Sequence, residues 1–80
     1  MKWLVVNNKT AYNLDCIRKI NIVSWGEDDN RITLYYAGDN YDIDVMKDLS
    51  KEKAQETFEK VISLMKYDNE DMIFISAENE

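Results

Sequence analysis

The segment Ser50–Lys66, SKEKAQETFEKVISLMK, is the only part of the sequence with a clear helical period. Its apolar residues recur every three or four positions, which places them on one stripe of an α-helix. Ser50 is a good N-cap, because its hydroxyl can accept a hydrogen bond from an unpaired amide of the first turn. A helix of this length is marginal alone in water, so the stripe is expected to pack on a sheet. The stripe consists of Ala54, Phe58, Val61, Ile62 and Met65, widened by Leu64.

Short strand-like segments occupy the sequence before this helix, and one follows it. The predicted strands are Lys2–Val6, Thr10–Leu14, Ile17–Trp25, Arg31–Ala37, Tyr41–Val45 and, after the helix, Met72–Ser76. Residues 77–80 are predicted to be a frayed acidic tail. The pattern predicts a single α+β domain over residues 1–80. Its antiparallel sheet of about five strands, a β-meander, precedes one amphipathic helix and a short C-terminal strand.

Local patterns add detail to the predicted sheet. Asn7-Asn8 is expected to form a two-residue hairpin turn with Trp3 opposite Tyr12, since Asn tolerates positive φ. The segment Ile17–Trp25 is apolar on both faces, which indicates a central strand or one that contributes to two surfaces. A tight turn is expected at Gly38-Asp39 or Asp39-Asn40.

Composition argues against catalysis. The chain contains no histidine, which removes His-dependent acid–base chemistry and imidazole metal ligands, and only two glycines, which leaves no Gly-rich phosphate loop. The single cysteine, Cys16, is expected to be a small buried residue. No apolar run is long enough to span a membrane. We therefore expect a cytoplasmic protein without enzymatic activity or cofactor.

Charge is distributed unevenly along the chain, whose formal net charge is −6. Residues 1–26 carry four basic groups and one acidic group, whereas residues 27–80 carry six basic and fifteen acidic groups. An acidic balance disfavours direct nucleic-acid binding, which depends on cationic contacts to phosphates. It is compatible with a partner protein that presents a basic surface.

One candidate partner-binding face follows from strict alternation in the strands Arg31–Ala37 and Tyr41–Val45. Tyr35 is predicted on the outer face beside Asp42 and Asp44, and a tyrosine among carboxylates suits a protein interface. The simplest interpretation of these acidic residues is a face exposed to solvent without a binding role, and a calcium site is a weaker alternative. The candidate partner-binding residues are Tyr35, Asp39, Asp42, Asp44, Glu27, Asp28 and Asp29.

An alternative function is sequestration of a nucleotide-like ligand between subunits of an oligomer. Its candidate ligand-binding residues are Arg18, Lys19, Tyr12 and Trp25, which combine cations for a phosphate with aromatic rings. Trp3 and Trp25 are expected to cover an apolar sheet face that a single helix cannot reach. This expectation favours a homodimer or larger homo-oligomer.

The run Tyr12–Ile20, YNLDCIRKI, followed by a hairpin and a helix containing Ala54 and Phe58, resembles very small proteins of phages and mobile elements of low-GC Gram-positive bacteria. The resemblance implies a β-rich α+β fold. It also implies an inhibitor of a host defence protein, acting by blocking a nucleic-acid groove or by sequestering a signal nucleotide.

Overall fold

The computed structural model describes residues 2–38, 42–66 and 71–76 of the chain. The predicted turn at Asp39, the start of the fifth predicted strand at Tyr41 and the tail 77–80 lie outside these ranges. The described elements are β1 (Trp3–Val6), β2 (Thr10–Asn13), a 3₁₀ turn (Leu14–Cys16), β3 (Ile17–Gly26), β4 (Asp29–Tyr36), β5 (Asp42–Leu49), α1 (Lys51–Met65) and β6 (Met72–Ile75).

The strands form two three-stranded sheets, so the α+β class is confirmed but the expected single meander is wrong. One sheet has the order β3-β4-β5 and is antiparallel throughout. The other has the order β2-β1-β6, in which β6 pairs with β1 in parallel. The parallel strands β1 and β6 are separated in the chain by the whole sheet β3-β4-β5 and by α1, so no tight hairpin joins them.

A single core lies between the two sheets and the helix. Alternate apolar side chains of β1, β4 and β6 lie in this core, β5 contributes Val45, Met46 and Leu49, and α1 contributes Ala54 and Val61. The fully buried members include Leu4, Ile32, Leu34, Val61 and Ile73, which come from both sheets and from α1. Neither sheet could bury its apolar face alone, so both depend on this shared core.

Helix α1 begins where the sequence predicts. The Ser50 hydroxyl accepts a hydrogen bond from the Lys53 amide at 3.1 Å. The buried side is centred on Ala54, Thr57 and Val61, while Phe58 is half-buried and Met65 is exposed. The predicted stripe is thus rotated slightly, because Thr57 and not Met65 lies against the sheets.

The first hairpin differs from the prediction by one residue. Its loop has three residues, Asn7 to Lys9, with Asn7 and Asn8 at positive φ as expected. Trp3 therefore lies opposite Asn13, and Tyr12 lies opposite Leu4 on the core side. Because side chains alternate along a strand, the extra loop residue moves Tyr12 to the opposite face from Trp3.

Three further expectations are corrected. β3 is an edge strand and not a central one. Cys16 is exposed because it lies in the 3₁₀ turn and not in a strand. β5 continues beyond Val45 to Leu49 through irregularities in its pairing with β4, where Val45 and Met46 are both buried. Such a bulge turns two successive side chains towards the core, which strict alternation does not predict.

Candidate functional site

The face of sheet β3-β4-β5 that points away from the core is the outer face. Strand register defines it: Tyr35 lies between Lys19 and Asp42, and Thr33 lies between Asn21 and Asp44. Its members are Lys19, Asn21, Val23 and Trp25 of β3, Arg31, Thr33 and Tyr35 of β4, and Asp42 and Asp44 of β5. The predicted placement of Tyr35 beside Asp42 and Asp44 is confirmed.

Arg31 connects the carboxylates of this face. Its Nε and Nη2 donate to the two oxygens of Asp29 at 3.0 and 2.7 Å, and its Nη1 donates to Asp44 Oδ2 at 2.9 Å. Asp44 Oδ1 accepts from the Thr33 hydroxyl at 2.8 Å. The Asp48 amide donates to Asp29 at 3.1 Å. A bidentate arginine fixes geometry as well as charge, so this network is rigid.

The network keeps its carboxylates ionised. The hydrogen bond from Arg31 lowers the pKa of Asp29. The Thr33 hydroxyl, and then Arg31, lower the pKa of Asp44, against partial desolvation. Hydrogen bonding to the two carboxylates correspondingly raises the pKa of Arg31. Because one cation is shared by two anions, the network presents much less negative charge to a partner than the sequence suggests.

Trp25 lies over this network. The Arg31 guanidinium carbon is 4.9 Å from the centre of the Trp25 ring, in cation–π geometry. The Trp25 side chain is nevertheless 67% exposed. A large aromatic ring is therefore held on a fixed guanidinium and still offers its other face to solvent.

Tyr35 carries a second cation–π cluster. The Lys19 ammonium is 4.7 Å and the Arg18 guanidinium carbon 5.7 Å from the centre of its ring. Arg18 and Lys19 are neighbours in sequence, and regular alternation would send them to opposite faces. The pairing of β3 with β4 shifts between Ile17 and Lys19, and this bulge brings both cations to the same ring.

The predicted partner-binding residues are only partly brought together. Tyr35, Asp42, Asp44 and Asp29 lie on or beside the outer face. Glu27 and Asp28 are exposed in the turn between β3 and β4, next to Trp25 along the chain. Asp39 lies outside the described residues. The face is thus mixed in charge, because Arg18, Lys19 and Arg31 interleave with its carboxylates.

The alternative ligand-binding residues do not form one site. Arg18 and Lys19 border a cavity of about 170 Å³ whose other lining residues are Leu14, Ile17, Ile20 and Met65. Trp25 is six residues from Lys19 along β3, a separation of roughly 20 Å in an extended strand. Tyr12 packs against the core from the other sheet. Trp3 likewise belongs to the other sheet, so it does not cover a face jointly with Trp25.

Arg31 is the residue that sequence reasoning missed. Its position between Asp29 and the acidic strand that follows is an ion-pair signal that strand alternation alone does not reveal. Among the described residues, no cluster of carboxylate and cysteine side chains is arranged to hold a metal ion. Within those residues, too, no helix has the length and apolar character needed to cross a membrane.

Comparison with protein-family models, curated proteins and solved structures finds no match to this chain.

Proposed function

We propose that this chain is a non-enzymatic binding protein that docks through the outer face onto a partner protein with a basic surface. The observation that supports this proposal most directly is the Trp25 ring, which is 67% exposed. The ring lies against the Arg31 guanidinium, which forms ion pairs with Asp29 and Asp44. Tryptophan, tyrosine and arginine dominate the energetics of protein interfaces, and a pre-ordered ring loses little entropy on binding.

The charge that attracts such a partner comes from carboxylates outside the Arg31 network. Asp42, Glu27 and Asp28 are exposed, whereas Asp29 and Asp44 are engaged by Arg31. Exposed rim charges mainly accelerate association and make it sensitive to salt. An inhibitory role against a host protein, which the phage-type resemblance implies, follows if docking covers a functional surface of that partner.

The test compares capture of bacterial lysate proteins by the wild type, Trp25→Ala and the control Ser63→Ala. Ser63 is exposed on α1, so the control changes an exposed side chain without touching the outer face or β6. We expect a basic protein retained by wild type and control, lost with Trp25→Ala, and weakened by salt or by Asp42→Lys. A retained set identical for all three proteins, or one indifferent to salt, contradicts the proposal.

A second function, sequestration of a small anionic ligand in a homo-oligomer, is supported by the cavity beside Arg18 and Lys19. Its walls are apolar and its rim is cationic, which suits a ligand with an anionic group and a ring. A volume of about 170 Å³ is below the roughly 300 Å³ of typical ligand pockets, so a second subunit would have to complete it. Thermal shifts with a nucleotide panel test this function, and unchanged melting speaks against it.

A further inference from the structure

β6 lies at the edge of the sheet β2-β1-β6. On its β1 side, the Trp3 amide donates to the Asp71 carbonyl at 2.8 Å and the Asn7 amide to the Ile75 carbonyl at 2.9 Å. Backbone groups of successive strand residues point to opposite edges. The amides and carbonyls of Met72 and Phe74 therefore point away from β1, where no described strand pairs with them.

The same two residues expose their side chains. Met72 and Phe74 are each 52% exposed, on the face opposite the core, where they lie beside Trp3 and Val5 of β1. Backbone groups and apolar side chains thus face solvent together in one short strand. An extended peptide can use both, since backbone pairing gives affinity and alternate side chains give specificity.

The two edges of the sheet β3-β4-β5 are protected against such pairing. β3 has two shifts in its pairing and carries Arg18 and Lys19. β5 carries Lys47 and Asp48, with Asp48 at positive φ. Bulges and charged side chains are the devices that discourage edge pairing. β6, with the sequence MIFI, contains none of them.

The acidic sequence around β6 indicates what kind of segment would pair with this edge. Asp71, exposed, precedes β6, and residues 67–80 contain five acidic groups and no lysine or arginine. If a second copy paired with β6, it would bring the same acidic sequence and a formal net charge of −6 to this edge, and like charges repel. A strand flanked by lysine or arginine meets the opposite charge instead.

We infer that the open edge of β6 binds an extended segment of a partner protein. In this segment, alternate apolar residues contact Met72 and Phe74, and lysine or arginine residues flank the strand. This surface is separate from the outer face, so its occupancy does not depend on Trp25.

The probe is a synthetic peptide of alternating valine and threonine with two lysines at each end, matched by the same peptide with glutamates at the ends. We expect the lysine peptide to bind at least about tenfold more tightly than the glutamate peptide, as complementary rim charge predicts. Binding should protect the amides of Met72 and Phe74 from hydrogen exchange. Phe74→Thr should weaken it by about tenfold, as loss of an aromatic anchor does, and Trp25→Ala should leave it unchanged.

Three results would overturn the inference. The first is equal binding of the two peptides or no binding of either, and the second is protection that does not include Met72 and Phe74. The third is sedimentation equilibrium showing a dimer of the free protein that Phe74→Thr dissociates, because the occupant would then be a second copy. The Trp25→Ala variant keeps this outcome distinguishable from failure of the outer face to bind its own partner.

Discussion

Arg31 makes three hydrogen bonds to two carboxylates on the outer face. Arg31 lowers the pKa of Asp29, and the Thr33 hydroxyl together with Arg31 lowers the pKa of Asp44. A carboxyl whose pKa is lower in the folded state stabilises the fold above its unfolded pKa, about 3.9. This contribution is lost as pH falls through the folded value. The network therefore stabilises the protein at neutral pH and ceases to do so in acid.

We predict that Arg31→Gln lowers the melting temperature at pH 6 and that the difference from wild type shrinks at pH 2.5. The substitution leaves Asp29 and Asp44 without their shared cation, so their pKa values return towards or above the usual range. Melting curves of both proteins at several pH values check this prediction. Lys60→Gln, an exposed substitution on α1 away from these carboxylates, is the control. A constant difference at every pH would show that Arg31 acts only by packing.

Asn30 shows what sequence reasoning at this scale could not find. The predicted strands leave Asn30 in the connection between Trp25 and Arg31, but it is 1% exposed at the start of β4. Its Nδ2 donates to the carbonyls of Glu27 and Leu49 at 3.0 and 2.9 Å, and its Oδ1 accepts from the Ser24 hydroxyl at 2.7 Å. A buried amide is stable only with such partners, and the bond to Leu49, 19 residues away, leaves no local pattern.

At the scale of the elements, the start of α1 is capped by the side chain of Ser50. Ser50→Ala removes the acceptor for the Lys53 amide, and we predict that it lowers the free energy of unfolding by about 1 kcal/mol. Ser63→Ala, exposed within the same helix, is the matched control and should be neutral or slightly stabilising because alanine favours helix. Urea denaturation of both variants measures the effect. Equal stability of the two variants would mean that the cap contributes nothing.

At the scale of the whole molecule, β6 pairs with β1 and packs into the core shared by both sheets. Substitutions in β6 therefore test that core. Ile73 is fully buried between the sheets and α1, whereas Phe74, its neighbour, is half-exposed. We predict that Ile73→Ala lowers the free energy of unfolding by about 2–5 kcal/mol. Phe74→Ala should cost about 1 kcal/mol, in proportion to its smaller buried area.

Chemical denaturation followed by tryptophan fluorescence measures the stability of the Ile73→Ala and Phe74→Ala variants. In a cooperative fold, the transitions reported by Trp3 and by Trp25 should coincide. Trp3 lies in the sheet containing β6 and Trp25 in the other sheet. Comparing Trp3→Phe with Trp25→Phe assigns the signals. Separate transitions, or an equal loss for the two alanine variants, would contradict a single core shared by both sheets.

The sequence by itself determined those features that depend on neighbours along the chain. These are the N-cap and the extent of α1, the positive φ values at Asn7 and Asn8, and the outer-face placement of Tyr35, Asp42 and Asp44. Helical period, turn chemistry and strand alternation are local, and they are readable from composition and spacing.

Tertiary structure alone decided the division into two sheets, the parallel pairing of β6 with β1 and the bulges in β3 and β5. It also decided that Arg31 forms ion pairs with two carboxylates that the sequence offers to a partner. Arg18 and Lys19 both contact the ring of Tyr35 and do not form a site with Trp25. These outcomes depend on contacts between residues far apart in sequence, where burial and backbone hydrogen bonding outweigh local preference.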